Sequence, residues 1–299
     1  MFVLPNWIAR SAATAAPSTA LCTMTLLAAL LGDAGHGAAA QGRLDAEYVA
    51  TVSGVPVGQG DWVVQIANNS YTSAANGATA GLLKFFTSAR GTSAARGTVS
   101  AGRPVPTSYS ATIVDSHHVD EVRMALSNGN VTDYTAEPEL VPVPDRIPVR
   151  EADRHGVVDP MTSALAHVEG TGDPVGPGAC NRKVSVFDGR VRYDLQSEFK
   201  RIENVKAEKG YQGAAAVCAL YFRPISGYVP DRAAIKYLIA LRDAEVWLVP
   251  IAGTRVLVPF RFAMPTPLGL GVLQARQFVS VALPERAMAQ PVRTMAKMQ

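Results

Sequence analysis

Within ten residues, VFDGRVRYDL (186–195), the chain gathers Asp188, Arg190, Arg192, Tyr193 and Asp194. Two carboxylates this close offer general acid–base chemistry, as in an envelope hydrolase working through Asp188 or Asp194. Two arginines on one strand face offer charge-assisted hydrogen bonds to an anionic group. Each carboxylate also has a structural task. Asp188-Gly189 is a tight-turn signal, because both residue types accept positive φ. A two-residue turn there sets Val186 opposite Val191 and Val184 opposite Tyr193, with Leu195 on the same face. The other face then pairs Lys183 with Asp194, Ser185 with Arg192 and Phe187 with Arg190. Aliphatic residues meet on one side and opposite charges on the other. The turn accounts for Asp188 and an exposed cross-strand lysine for Asp194, so no catalytic residue is assigned. Arg190 and Arg192 stand as candidate contacts for an anionic head group.

Other reactive residue types form no constellation. His117 and His118 lie beside Asp115 and Asp120, but neighbours on a strand point to opposite faces, so only one imidazole at a time joins the aspartates. His155 and His167 lack ligand spacing. Ser163 and Ser226 stand outside any G-x-S-x-G elbow, and no βαβ alternation surrounds them. No metal and no cofactor is expected. With 28 Lys and Arg against 25 Asp and Glu, the net charge is +3. The cations are scattered, with no basic run or aromatic stripe, which disfavours nucleic acid as a partner.

The elements that must position these residues are those of an exported β protein. Residues 20–31 (ALCTMTLLAALL) are an apolar run with Arg10 before it and Ala38-Ala39-Ala40 after it. That is the pattern of a signal peptide, residues 1–40, with cleavage expected after Ala40. The run is shorter than the roughly 20 residues of a membrane span, so none is expected once the leader is removed. Cys22 leaves with the leader. Cys180 and Cys218 remain, and an even count in an oxidising compartment predicts one disulfide between them.

Short alternating runs rich in Val, Thr, Tyr, Phe and Trp, broken by Gly, Pro and Asn, read as strands. Residues 44–53 form one, which stops at GVPVGQG (54–60), and 61–66 another. The stretch 68–80 continues a sheet, while 81–90 (GLLKFFTSAR) suits either a helix or a curved strand. The small polar residues of 91–100 read as a loop, followed by strands at 108–115 and 119–126 and a turn at Asn128-Gly129. Four prolines make 137–150 an extended linker or edge segment. Asp159-Pro160 caps and starts a helix over 160–168, with Met161, Ala164, Leu165 and Val168 on one face. Residues 232–241 suit helix or strand. Residues 245–251 and 255–264 pair around Ala252-Gly253, and 272–283 adds a last strand. The fold expected is a mostly β curved antiparallel sheet, an open barrel or β-spiral with one or two short helices. It forms a single domain over 41–283, with a loose C-terminal tail over 284–299.

GVPVGQG (54–60), Asp159-Pro160, the Cys180 segment with VFDGRVRYDL, GYQG (210–213), Cys218, PISGY (224–228), VWLVPI (246–251) and TPLGLG (266–271) follow in this order. The arrangement resembles an exported proteobacterial family known only as domain of unknown function 3108. The resemblance covers nearly all of the chain after the leader. It implies a periplasmic location and brings no activity and no catalytic residues.

The functional expectation is a non-enzymatic periplasmic protein for cell-envelope maintenance. It would hold a lipid or other hydrophobic ligand in the concave face of its sheet, with Arg190 and Arg192 at the mouth and Phe260 and Phe262 in the groove. The alternatives are a structural or assembly factor acting through contacts with an envelope protein, and the hydrolase considered above.

Overall fold

The computed structural model describes residues 41–81, 88–140 and 142–284. The expected leader, the expected tail from 285 on and the ambiguous run at 82–87 lie outside them. Fifteen strands are present among the described residues: β1 (Gly42–Val52), β2 (Val55–Ile66), β3 (Ser70–Thr79), β4 (Arg90–Ser100), β5 (Arg103–Val114), β6 (Val119–Ser127), β7 (Asn130–Glu137), β8 (Ala166–His167), β9 (Arg182–Phe187), β10 (Arg192–Lys206), β11 (Lys209–Gly210), β12 (Gln212–Ser226), β13 (Glu245–Pro250), β14 (Val256–Thr266) and β15 (Gly269–Ala282). The helices are α1 (Pro160–Ser163), α2 (Pro177–Cys180) and α3 (Ala233–Ala240), with a 3₁₀ turn at Glu151–Arg154.

All strands join one mostly antiparallel sheet in the order β7-β6-β5-β4-β3-β2-β1-β15-β14-β13-β12-β10-β9, with β11 beside β15 and β8 beside β14. The sheet does not close, and β7 and β9 are its edges. Residues 156–158 cover the seam. Val157 N–H donates to the Gly129 carbonyl at 2.7 Å, in the β6–β7 turn. Val158 forms a parallel bridge to Val186 of β9, through bonds of 2.9 and 3.0 Å. This segment bridges the two edges at single points, Gly129 on one side and Val186 on the other.

Alternation sets the inward face. Leu44, Ala46 and Tyr48 of β1 meet Trp62, Val64 and Ile66 of β2, and these meet Tyr71, Ser73 and Ala75 of β3. Val249, Val256, Val258, Phe260 and Phe278 complete this core. Strands β12 to β14 are buried on both faces, because residues 166–180 cover the other side. There Cys180 and Cys218 form the expected disulfide, with Cα atoms 5.3 Å apart, tying α2 to β12.

Four expectations need correction. Residues 91–100 form strand β4, not a loop, and the reason is packing rather than propensity. A Cβ on Gly97 would lie 2.7 Å from the Tyr71 ring and 2.0 Å from the Val105 carbonyl oxygen, so only glycine fits beside them. The strand after β1 restarts at Val55, and the turn is confined to Ser53-Gly54. The helix predicted over 160–168 ends at Ser163, because Ala166 and His167 leave it to pair with Leu257 and Val256. The hairpin at Asp188-Gly189 is longer by two residues than a two-residue turn. Phe187 pairs with Arg192, Val186 with Tyr193 and Val184 with Leu195. Asp188 Oδ1 accepts the N–H groups of Arg190 (2.8 Å) and Val191 (2.6 Å), which draws both residues into the loop. A slip of two keeps every side chain on its expected face.

Residues 232–241, compatible with either element in sequence, contain α3.

Candidate functional site

The four expected ligand residues do not converge. Arg190 donates to the carbonyls of Pro138 (2.8 Å) and Glu137 (3.0 Å) and pairs with Asp120 at 3.2 Å, fastening the β9–β10 loop to the far edge of the sheet. Arg192 donates to the Tyr193 carbonyl and, at 2.8 Å, to Asp194. Phe260 is enclosed in the core between the rings of Tyr211 and Phe278, at 6.2 and 5.7 Å. Phe262 packs instead against the disulfide cluster. A register shift between β13 and β14, where Trp247 pairs with Arg261 and Leu248 with Pro259, accounts for the split.

Both carboxylates are held by the protein itself. The Lys183–Asp194 pair expected at the surface has its carboxylate buried. Burial pushes the Asp194 carboxyl up, but Lys183 at 2.9 Å, Arg192 at 2.8 Å and Ser185 at 3.0 Å together bring it below the ordinary range. Asp188 is occupied by the loop N–H groups described above. Among the described residues no three His, Cys, Asp or Glu side chains gather as a metal site. Asp115 accepts the N–H groups of His117 and His118 at 2.7 and 2.8 Å, which makes that cluster a turn.

The concavity with ligand-binding character lies elsewhere. Tyr48, Ala50, Gly58, Gly60, Trp62, Ala75 and Gly77 on the inner face of β1 to β3, with Pro160, Met161 and Ala164 from the α1 segment, Pro259 and Leu273, line a cavity of ≈ 460 Å³. Its shape follows from side-chain size. Inner positions of β1 to β3 toward Gly42, Ile66 and Ser70 carry Leu44, Val64 and Tyr71 and are filled. Toward the other end, beyond Tyr48 and Trp62, the same alternation brings Ala50, Gly58, Gly60, Ala75 and Gly77 inward, so space remains. Gln59, Asp61 and Asn76 also border the cavity, but alternation turns their side chains to the outer face.

The aromatic walls present carbon because their polar atoms are satisfied elsewhere. Tyr48 Oη donates to the Pro259 carbonyl at 2.5 Å, and burial holds this phenol well above its ordinary pKa. Trp62 Nε1 donates to Ser73 Oγ at 2.8 Å. The α1 wall is pinned by a buried polar chain. Asp159 accepts the Thr162 N–H at 2.9 Å and its hydroxyl at 2.5 Å, and Thr162 Oγ1 lies 2.6 Å from Tyr71 Oη. Burial raises the Asp159 carboxyl above 3.8, against the opposing bonds from Thr162.

A raised carboxyl has a definite sign for stability. The folded state disfavours the carboxylate, so stability is complete below the unfolded pKa near 3.8 and falls as pH rises through the folded pKa. Asp159→Asn keeps an acceptor for the Thr162 N–H and cannot ionise. Thermal melts from about pH 3.5, near the ordinary carboxyl pKa of about 4, up to about pH 7 are expected to show the wild type losing ground to this variant as pH rises. A constant difference across that range would assign Asp159 no ionisation cost.

The cavity left one trace in the sequence, the small residues two apart in Gly58-x-Gly60 and Ala75-x-Gly77. Alone, such spacing is equally compatible with a weak strand.

In fold, the chain is similar to the crystal structure of a beta-barrel-like protein of domain of unknown function DUF1849 from Brucella abortus, at 8% identity and a TM-score of 0.41. The alignment covers 82% of this chain and 99% of that one. No curated protein matches the chain. The family described as Protein of unknown function (DUF3108) matches residues 47–276. The match begins within β1 and ends within β15, takes in both cysteines and the whole cavity wall, and the chain belongs to that family.

Proposed function

We propose that the protein is a non-enzymatic carrier or sensor that holds an apolar ligand, an acyl chain or lipid, in the cavity between β1–β3 and α1. The observation that carries this reading is the cavity itself, ≈ 460 Å³, within the range of roughly 300–1,000 Å³ typical of ligand sites. Its inward side chains carry no charge, so it favours hydrocarbon, at about 0.8 kcal/mol for each methylene taken from water. Large apolar side chains, Val55, Leu268 and Leu270, also stand exposed at its end of the sheet. The disulfide and the apolar run at 20–31 support export to the periplasm and a part in envelope maintenance there.

The test fills the cavity without disturbing its walls. Gly77 is inward-facing, has ordinary backbone geometry, and a Cβ there would meet nothing closer than the Gln59 carbonyl oxygen at 3.5 Å. Gly77→Phe is expected to melt near the wild type and to lose uptake of a fluorescent fatty acid by about tenfold or more, the equivalent of about 1.4 kcal/mol. Gly60 cannot serve, because a Cβ there would lie 2.3 Å from the Asn76 carbonyl oxygen. If the wild type takes up no lipid at micromolar concentration, or Gly77→Phe takes it up equally well, the cavity is not a lipid site. Copurification of a stable protein partner would then favour an assembly factor.

A further inference from the structure

The antiparallel register places particular turns at one end of the sheet. The turn Ser53-Gly54, the end of β3, the start of β4, the turn 115–118 and the β14–β15 turn at 267–268 all share it. Ala50, Gly58, Ala78 and Leu273 place the cavity toward this same end. Large apolar side chains stand in solvent there: Leu268 is 80% exposed, Leu270 48% and Val55 46%. The two turns are fastened to each other, since Ser53 N–H donates to the Leu270 carbonyl and Ser53 Oγ to that of Leu268, both at 2.9 Å. These leucines are therefore held outward on a braced rim.

Helix α3 lies in the connection from the end of β12 to the start of β13, at the same end. Its sequence is AAIKYLIA, apolar except for Lys236, yet none of its residues is buried. A helix apolar on nearly every side normally lies in a core or against a membrane. Arg232, Lys236 and Arg242 flank or interrupt it, against Asp231 and Asp243, three cations to two anions. Asp231 pairs with Lys236 at 2.8 Å. Arg242 is held by the carbonyls of Ile239 and Leu241, which leave its charge uncancelled. Arg232 has no carboxylate partner among the described residues.

The geometry points to this rim as a docking surface for an anionic lipid bilayer. Helix α3 and the tips bearing Val55, Leu268 and Leu270 enter the interfacial layer, with Arg232 and Arg242 against lipid phosphates. Apolar residues with cations beside them are the combination that such an interface rewards. The site goes beyond ligand holding and does not require that the cavity be filled. The shared end would let an acyl chain pass between bilayer and cavity without crossing bulk water.

The experiment is cosedimentation of the purified protein with vesicles of phosphatidylethanolamine and phosphatidylglycerol, or of phosphatidylcholine alone. Residues 1–40 and 285–299 are common to all variants and cancel in the comparison. The wild type is expected to bind the anionic vesicles more tightly and to release them as salt rises. Leu268→Glu with Leu270→Glu, both at solvent-exposed positions, should melt with the wild type and bind about tenfold or more weakly. Arg232→Ser with Arg242→Ser should remove most of the salt dependence. Gly77→Phe should still bind vesicles, which separates rim docking from cavity uptake. Equal binding by the wild type and the double leucine variant overturns the proposal. So does binding to neither vesicle, or self-association that the leucine substitutions abolish without any vesicle binding.

Discussion

Gly189→Val is expected to leave little folded protein. Gly189 sits at φ +94°, a region closed to β-branched residues, and a Cβ there would lie 2.4 Å from Val122 Cγ1. The dihedral strain costs about 1–3 kcal/mol and the overlap with a buried valine about 1–3 more. The sum of about 2–6 kcal/mol is a large share of the 5–15 kcal/mol that keeps a typical domain folded. The position matters because the β9–β10 loop is a clasp. Arg190, next along the chain, binds Glu137, Pro138 and Asp120 across the open seam. Circular dichroism and soluble yield measure the loss. Val122→Ala in the same chain should restore the steric part and leave the dihedral part. A Gly189→Val protein that melts with the wild type would show that the loop does not pack on β6.

Replacing both Cys180 and Cys218 by alanine is expected to cost about 4 kcal/mol, from the chain entropy released by a 38-residue separation. At about 2–4 °C per kcal/mol for a domain of this size, the midpoint should fall by about 8–16 °C. Both sulfurs are buried against Ala166, Val168, Ala179, Ala216, Leu248 and Leu257. The bond holds residues 166–180 over the outer face of β12 to β14, so its loss should expose that face first. A reductant should lower the wild-type midpoint by the same amount and leave the double variant unmoved. If it moves neither protein, the disulfide is not closed in the protein as made.

The strands were legible wherever one face is apolar and the other polar, because a period of two reports burial directly. Strand β4 was not, since GTSAARGTVS (91–100) has no apolar stripe. It is a strand because β3 and β5 pair with it on both sides, and at Gly97 the Tyr71 ring and the Val105 carbonyl leave no room for a side chain. The strand faces at Asp188-Gly189 were right and the pairing was two residues off. Parity follows from the residue pattern, whereas loop length depended on which N–H groups the Asp188 carboxylate would take.

The sequence by itself determined the β class, the helix start at Asp159-Pro160 and the cysteine pairing. These depend on neighbours in the chain, or on a count that leaves one choice. Tertiary structure alone decided the site. Arg190 finds its partners 52 to 70 residues away, and Asp194 is buried rather than exposed. The cavity exists only where three strands align their glycines and alanines opposite α1. Empty volume is a property of what surrounds a small side chain, and no single stretch of chain encodes its own surroundings.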